Sequence, residues 1–310
     1  MEIIIAKNSG FCFGVNRSVD LANKALESSK EKYTVGPLIH NPQLVKAYEN
    51  KGLKLITKQE ALDIKDSLIV IRAHGESKDF KNALIENNNE ILDATCPVLN
   101  NIYKKIRQKE DEGYQVVIVG DREHPEIKAM DSYLKNGIIV IDETEAKNVK
   151  SEKPIYVVSQ TTNRKDFYYN IANTLKEDSG SVVIENTICN ATKLRQDSAK
   201  DLSKEVDCMI VVGGFNSSNT NKLHQVASKY NKNVFRIETV KDLPLQKLSE
   251  FNKIGIIAGA STPDEIIEEV VRKMDEFTKE DFMNSLEDSL KKIYPKDIVT
   301  GTVIDVKDDE

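Results

Sequence analysis

This 310-residue sequence predicts an α/β protein with mostly parallel sheets, in which three similar units close into a ring. Three observations predict it. Strand-like runs alternate with helical patterns throughout, as in L68-I-V-I, V116-V-I-V and M209-I-V-V, each bounded by polar or glycine-containing turns. Cys12, Cys96 and Cys189 each precede a helical stretch and then a strand ending in glycine, and Gly36, Gly120 and Gly213 all lie 24 residues beyond their cysteines. The third unit lacks a closing strand, and a spare strand stands at the N-terminus. The length agrees, since roughly 150 residues per domain allows about two or three compact units.

The chain opens on I3-I-I-A-K-N-S-G-F-C, a short strand running into Cys12. Helical patterns follow the three cysteines, at 15–26, 98–106 and 191–202. After each glycine comes a polar loop, L-I-H-N-P at 38–42, R-E-H-P-E at 122–126 or F-N-S-S-N at 215–219, and then a second helical pattern. Further strands lead to a second polar loop, R-A-H-G at 72–75, S-Q-T-T at 159–162 or G-A-S-T at 259–262. The first two units finish with a strand into the next cysteine, D93-A-T-C and N186-T-I-C, and the N-terminal strand supplies the one that the third unit lacks. The units expected are thus 13–95, 96–187, and 1–12 together with 188–283, leaving 284–310 as a linker and the start of something else.

In an open parallel sheet a ligand binds beyond the carboxyl ends of the strands, where loops enter helix N-termini. Both loop series lie at such ends, so three cysteines and six loops should converge on one cavity. Hydrophobic content of 39% and charged content of 30% are ordinary for a soluble protein, and no apolar run approaches the ~18 residues of a membrane helix. The start M-E-I-I-I-A-K carries an acid where a secretory signal carries basic residues, so a cytoplasmic protein is expected. Forty-four basic residues against 50 acidic ones, spread along the chain, argue against nucleic acid as a ligand for most of it. Four cysteines without a C-x-x-C pair do not read as a disulfide framework.

Cysteines that precede helices face orphan N–H groups and the positive end of the dipole, both of which favour thiolate. Three converging thiolates without a fourth suit a cubane iron–sulfur cluster with one open iron, or a zinc ion with an open position. Cys208, in C-M-I-V-V, reads as an inert core thiol. The loops offer His40, His74, His124, Thr161, Ser217, Ser218, Asn219 and Ser261, enough hydrogen-bonding groups to surround an anion near helix N-termini. Glu126 is the acid best placed to deliver a proton, while His224, inside a helical stretch, has no assigned role. Neither G-x-G-x-x-G nor a Walker motif occurs, so ATP and nicotinamide cofactors lack support.

These residues resemble the 4-hydroxy-3-methylbut-2-enyl diphosphate reductase (IspH/LytB) family. The matching segments are G-F-C-F-G-V at 10–15, G-P-L-I-H-N-P-Q at 36–43, R-A-H-G at 72–75, D-A-T-C-P at 93–97, H-P-E at 124–126 and S-Q-T-T at 159–162. They continue with N-T-I-C-N-A-T at 186–192, V-V-G-G-F-N-S-S-N-T at 211–220 and A-G-A-S-T-P at 258–263. The resemblance implies a three-lobed α/β cloverleaf around a central [4Fe-4S] cluster held by Cys12, Cys96 and Cys189, with one iron open. It implies reductive dehydroxylation of an allylic diphosphate to isopentenyl and dimethylallyl diphosphate, the last step of the non-mevalonate isoprenoid pathway. His40, His74, His124, Ser217, Ser218, Asn219 and Ser261 would bind the diphosphate, Glu126 would donate the proton, and Thr161 would position the substrate hydroxyl and relay protons, with His124 beside them. Electrons would come from reduced ferredoxin or flavodoxin.

The tail departs from the family, and G301-T-V-I-D-V resembles the opening strand of a ribosomal-protein type of RNA-binding OB fold, so any RNA contact would need a region absent from this chain. Two rivals stay open from sequence. One is a zinc or iron–sulfur enzyme with another substrate, such as quinolinate synthase, which also centres three cysteines in three pseudo-repeats; the other is an RNA-binding translation factor, favoured only by the tail.

Overall fold

A computed structural model describes residues 1–39, 41–178 and 181–290. Strand β1 (Glu2–Ile5) comes first, and the sheet that it joins is the last to be completed. The first unit holds β2 (Lys32–Val35), β3 (Leu53–Ile56), β4 (Leu68–Ile71) and β5 (Glu90–Asp93) in the order β3-β2-β4-β5. The second holds β6 (Gln115–Val119), β7 (Ile138–Val140), β8 (Ile155–Ser159) and β9 (Val182–Ile184) in the order β7-β6-β8-β9. The third holds β10 (Cys208–Val212), β11 (Val234–Ile237) and β12 (Lys253–Ala258), with β1 at its edge in the order β1-β12-β10-β11. Every pairing is parallel, and β1 meets β12 with Ile3 opposite Ile254 and Ile5 opposite Ile256. The ring closure expected from the repeat is therefore present, and the fold is the three-unit α/β architecture read from the sequence.

The inner strands are apolar on both faces because helices cover both sides of each sheet. In the second unit Val116, Ile118, Tyr156 and Val158 face one core, while Val117, Val119, Ile155 and Val157 face the other. The first unit repeats this with Leu68 and Val70 against Ile69 and Ile71, and the third with Ile210 and Val212 against Met209 and Val211. Each fully buried aliphatic side chain contributes roughly 1.5–3 kcal/mol, which makes these layers the rigid frame for the loops at their ends. Equivalent backbone bonds mark the three units: Gly36, Gly120 and Gly213 N–H donate to the last residues of the neighbouring outer strands, Ile56, Val140 and Ile237 (2.8, 3.0 and 2.9 Å).

The approach to each cysteine differs from expectation in one respect. N186-T-I-C is not a strand: β9 stops at Ile184, and the Thr187 hydroxyl bridges Ser159, accepting from its N–H at 2.7 Å and donating to its carbonyl at 2.6 Å. A side chain there replaces the ladder and turns the backbone toward Cys189. Likewise D93-A-T-C leaves β5 at Asp93, whose carboxylate accepts from Thr95 N–H at 2.9 Å. The last helix, Asp264–Leu290, passes residue 284 without a break, and the strand read at 301–306 lies outside the described residues. Among the described residues no helix is long and apolar enough to cross a membrane.

Candidate functional site

Each of Cys12, Cys96 and Cys189 is the N-cap of a helix: Phe13–Leu26, Pro97–Asp111 and Asn190–Glu205. None of the three thiols is spent on capping, and none of these helices has an acid in its first turn. Each cysteine N–H donates to the second polar loop of the segment that leads into it, at Ala260 O (3.4 Å), Ala73 O (3.0 Å) and Thr161 O (3.0 Å) for Cys12, Cys96 and Cys189 respectively. The backbone thus hangs the three cysteines at equivalent points around one axis.

All three line a single cavity of about 120 Å³, together with His74, His124, Glu126, Thr161, Ser217, Ser218, Asn219 and Ser261. Of the sequence-predicted site residues only His40 falls outside the described residues; its neighbour Ile39 lines the cavity, and Asn41 caps helix Pro42–Asn50 by accepting from Leu44 N–H at 2.8 Å. Cys208 is fully buried in the core of the third unit, where burial pushes its thiol up to about 12.

At the polar end, Ser217 caps helix Ser218–Tyr230, accepting from Thr220 N–H at 3.3 Å. That helix and Pro42–Asn50 both begin without an acid, and the uncompensated positive end of Ser218–Tyr230 lies at the cavity. Asn219 is 6% exposed, and both polar atoms of its amide lack a partner among the described residues. A buried amide left in this way calls for a ligand, since an unsatisfied polar group costs about 1–3 kcal/mol. The His74 and His124 rings meet edge to face at 5.5 Å. His124 caps helix Pro125–Asp131, its Nδ1 accepting from Glu126 N–H at 3.2 Å, which puts the proton of a neutral ring on Nε2.

The acid end is built around Glu126, 2% exposed. Its Oε1 accepts from Thr161 N–H at 2.6 Å, and its Oε2 accepts from the Thr161 hydroxyl at 2.7 Å. Burial raises its carboxyl above the ordinary glutamate value, opposed by the Thr161 bonds and the Lys222 charge. Lys222 itself is held by Asn163 Oδ1 at 2.8 Å, and burial depresses its ammonium. The Thr161 hydroxyl therefore links the Glu126 carboxyl, whose pKa burial raises, to the cavity.

Three observations bear on whether a cluster fits these residues. A Cβ on Gly14 would lie 2.7 Å from Cys96 Sγ and 4.0 Å from Cys12 Sγ, so glycine keeps the space between two thiols clear. Burial raises the Cys96 thiol while Val98 and Leu99 N–H groups lower it, with burial the larger effect; the helix end alone does not secure the expected thiolate, and a bound metal would. Arg195, buried, feels the charges of Cys12 and Cys189. The donor set fits a thiolate-held cluster.

Gly14, Lys222 and Arg195 were not singled out from sequence. The signal for Gly14 was the G-F-C-F-G-V run itself, in which a glycine opens a helix against its propensity. The two cations carry no such signal, because their burial depends on contacts with residues distant in the sequence.

A family model described as LytB protein matches residues 3–275. A 4-hydroxy-3-methylbut-2-enyl diphosphate reductase of Geobacter sulfurreducens is 38% identical over 278 residues, covering 89% of this chain and 98% of that protein. One of Clostridium tetani is 39% identical over 309 residues, 99% of this chain but 48% of that protein. A solved structure of (E)-4-hydroxy-3-methyl-but-2-enyl diphosphate reductase, described as the terminal enzyme of the non-mevalonate pathway, matches with a TM-score of 0.69 and 38% identity, covering 89% of this chain and all of that one.

Proposed function

The chain belongs to the LytB family, and from that premise we infer that it is an oxidoreductase that removes the hydroxyl group of 4-hydroxy-3-methylbut-2-enyl diphosphate reductively, giving isopentenyl and dimethylallyl diphosphate. The observation that carries this reading is the shared cavity: three equivalent cysteines, a buried acid whose pKa burial raises, and the acid-free N-terminus of helix Ser218–Tyr230 open onto the same space. The family is one of iron–sulfur enzymes, and Cys12, Cys96 and Cys189 are the proposed ligands of a [4Fe-4S] cluster with one open iron, which when bound supplies electrons and a Lewis-acid site.

The remaining chemistry belongs to the chain. His40, His74, His124, Ser217, Ser218, Asn219 and Ser261 bind the diphosphate, helped by the N-termini of helices Pro42–Asn50 and Ser218–Tyr230. Thr161 orients the substrate hydroxyl through its own hydroxyl. Hydroxide is a poor leaving group, so the C–O bond breaks only as a proton arrives, and Glu126 holds that proton. A protonated Glu126 reverses its bond to Thr161 and donates to that oxygen, which passes a proton on into the cavity. The low exposure of Glu126 keeps bulk water from competing for it. Reduced ferredoxin or flavodoxin is the proposed electron donor, and the cytoplasm the proposed location.

Ser261→Ala and His40→Ala are each expected to weaken diphosphate binding by about 1.5–3 kcal/mol, the usual worth of a hydrogen bond to a charged group. Calorimetry with the substrate or with inorganic diphosphate measures it, and an unchanged Kd would remove that residue from the pocket. The reading of 284–310 as the start of an RNA-binding region is proposed on the G301-T-V-I-D-V pattern alone; the Clostridium tetani match runs through the tail in a protein about twice as long. Deleting residues 295–310 should leave iron content, turnover and Tm unchanged; a loss in any would assign the tail to the reductase fold.

A further inference from the structure

Each cysteine helix sends a cation to the segment that approaches the next cysteine. Arg17, on the Cys12 helix, donates to the carbonyl oxygens of Asp93 and Thr95, both at 3.2 Å, just ahead of Cys96. Lys105, on the Cys96 helix, pairs with Glu185 at 2.7 Å, just ahead of Cys189. Arg195, on the Cys189 helix, donates to Gly10 O, just ahead of Cys12, and to Ala191 O at 3.1 Å. The three contacts run in the same sense around the ring, but the cations lie at different distances from their cysteines along the chain, and their charges meet different surroundings. Lys105 is exposed and faces a carboxylate, and Arg17 is half-buried. Arg195 is 5% exposed, its Nε has no acceptor, and it has no carboxylate partner among the described residues.

A buried guanidinium answered only by carbonyl dipoles is strongly unfavourable unless a counter-charge lies close by. Burial lowers the proton affinity of Arg195, and the charges of Cys12 and Cys189 act in the opposite sense. These thiols are the counter-charge on offer.

We propose that Arg195 is the counter-cation of the cluster, a fixed positive charge beside two of the three thiolates that makes the cluster easier to reduce. The proposal rests on the reading that Cys12, Cys96 and Cys189 hold a cluster. Reduction brings one electron from an external donor and makes or breaks no bond, so the added negative charge has to be accommodated by the surroundings. A cation fixed nearby stabilises the reduced form more than the oxidised one and raises the reduction potential. Arg195 is a positioning residue in this account, since it does not line the cavity.

The test is a reductive titration followed by electron paramagnetic resonance on the anaerobically reconstituted full chain, using dithionite and mediators, with iron and sulfide measured on every sample. Parent, Arg195→Lys, Arg195→Gln and Arg195→Met are compared. The Lys variant, which keeps the charge and loses the double hydrogen bond, should reduce at the potential of the parent. The Gln and Met variants should need more negative potentials, their reduction equilibria shifted by roughly tenfold or more. A residue acting only as a clamp between Gly10 and Ala191 would lower Tm without moving the potential. Equal potentials in the parent and the neutral variants overturn the proposal, as does loss of cluster from all three variants. Loss from the two neutral variants alone supports it, because charge and not shape is then what the cluster needs. A parent that takes up no iron and sulfide would overturn the cluster assignment itself, a separate failure.

Discussion

Replacing any one of Cys12, Cys96 or Cys189 with serine is expected to abolish cluster loading and turnover together, while Cys208→Ser keeps both. The thiols occupy equivalent N-caps on one cavity, so each contributes the same kind of bond to the same group. A serine hydroxyl is a far weaker ligand than a thiolate at neutral pH, and the loss should exceed the roughly 10–100-fold penalty typical of changes to residues that merely support a ligand. Cys208 sits among Ile210, Ile254 and Ile256. Its replacement buries a hydroxyl, so it should lower Tm and leave iron content alone. Iron and sulfide analysis with visible absorption reads the outcome, and full iron in Cys96→Ser would remove that residue from the ligand set.

Glu126→Gln is expected to bind substrate normally and turn over about 10²–10⁴-fold more slowly, the usual worth of a positioned general acid. Glutamine can accept from Thr161 N–H as Glu126 does and donate to the Thr161 hydroxyl in place of accepting from it, so the pocket keeps its shape. What it lacks is the proton. In the parent, burial keeps that proton on Glu126 above the ordinary value of 4.5. Chemistry that depends on it should weaken as pH rises through the raised folded pKa, whereas the residual rate of the Gln variant should lack that limb. Stability carries the same signature. Between 4.5 and the folded pKa the unfolded chain binds fewer protons than the folded one, so folding free energy declines as pH rises across that window and then levels off. The Gln variant should therefore gain stability relative to the parent across it. Single-turnover rates and urea unfolding at several pH values measure both, and a near-parental rate would mean that another group delivers the proton.

Much of this was legible in the sequence because identical element lengths produce identical spacings. The interval from Cys12 to Gly36 recurs at Cys96 and Cys189 since in each unit one helix and one strand separate the two positions. The unpaired N-terminal strand pointed to β12 because a strand must pair somewhere, and only the third unit lacked one. Loops placed at strand ends then brought Ser217, Ser261, His74 and Glu126 to one cavity without further assumption. What escaped depends on side-chain contacts between residues far apart in the sequence. Arg195 and Lys222 lie on helices dense in polar residues, and nothing in their spacing says that Gly10, far off in the sequence, or Asn163, in another unit, will meet them. Thr187 reads as a β-former, and only the distance to Ser159 reveals that its hydroxyl ends the ladder. The balance at Cys96 escaped too, because burial works against the helix end there.

The most direct test of the central claim is turnover of 4-hydroxy-3-methylbut-2-enyl diphosphate under strict anaerobiosis, with the full chain reconstituted with iron and sulfide and a chemical reductant in place of the protein donor. The account predicts a brown protein that consumes the substrate and forms isopentenyl and dimethylallyl diphosphate at a rate that scales with cluster content. A colourless protein that binds zinc, or a fully loaded brown one that leaves the substrate untouched, would contradict it.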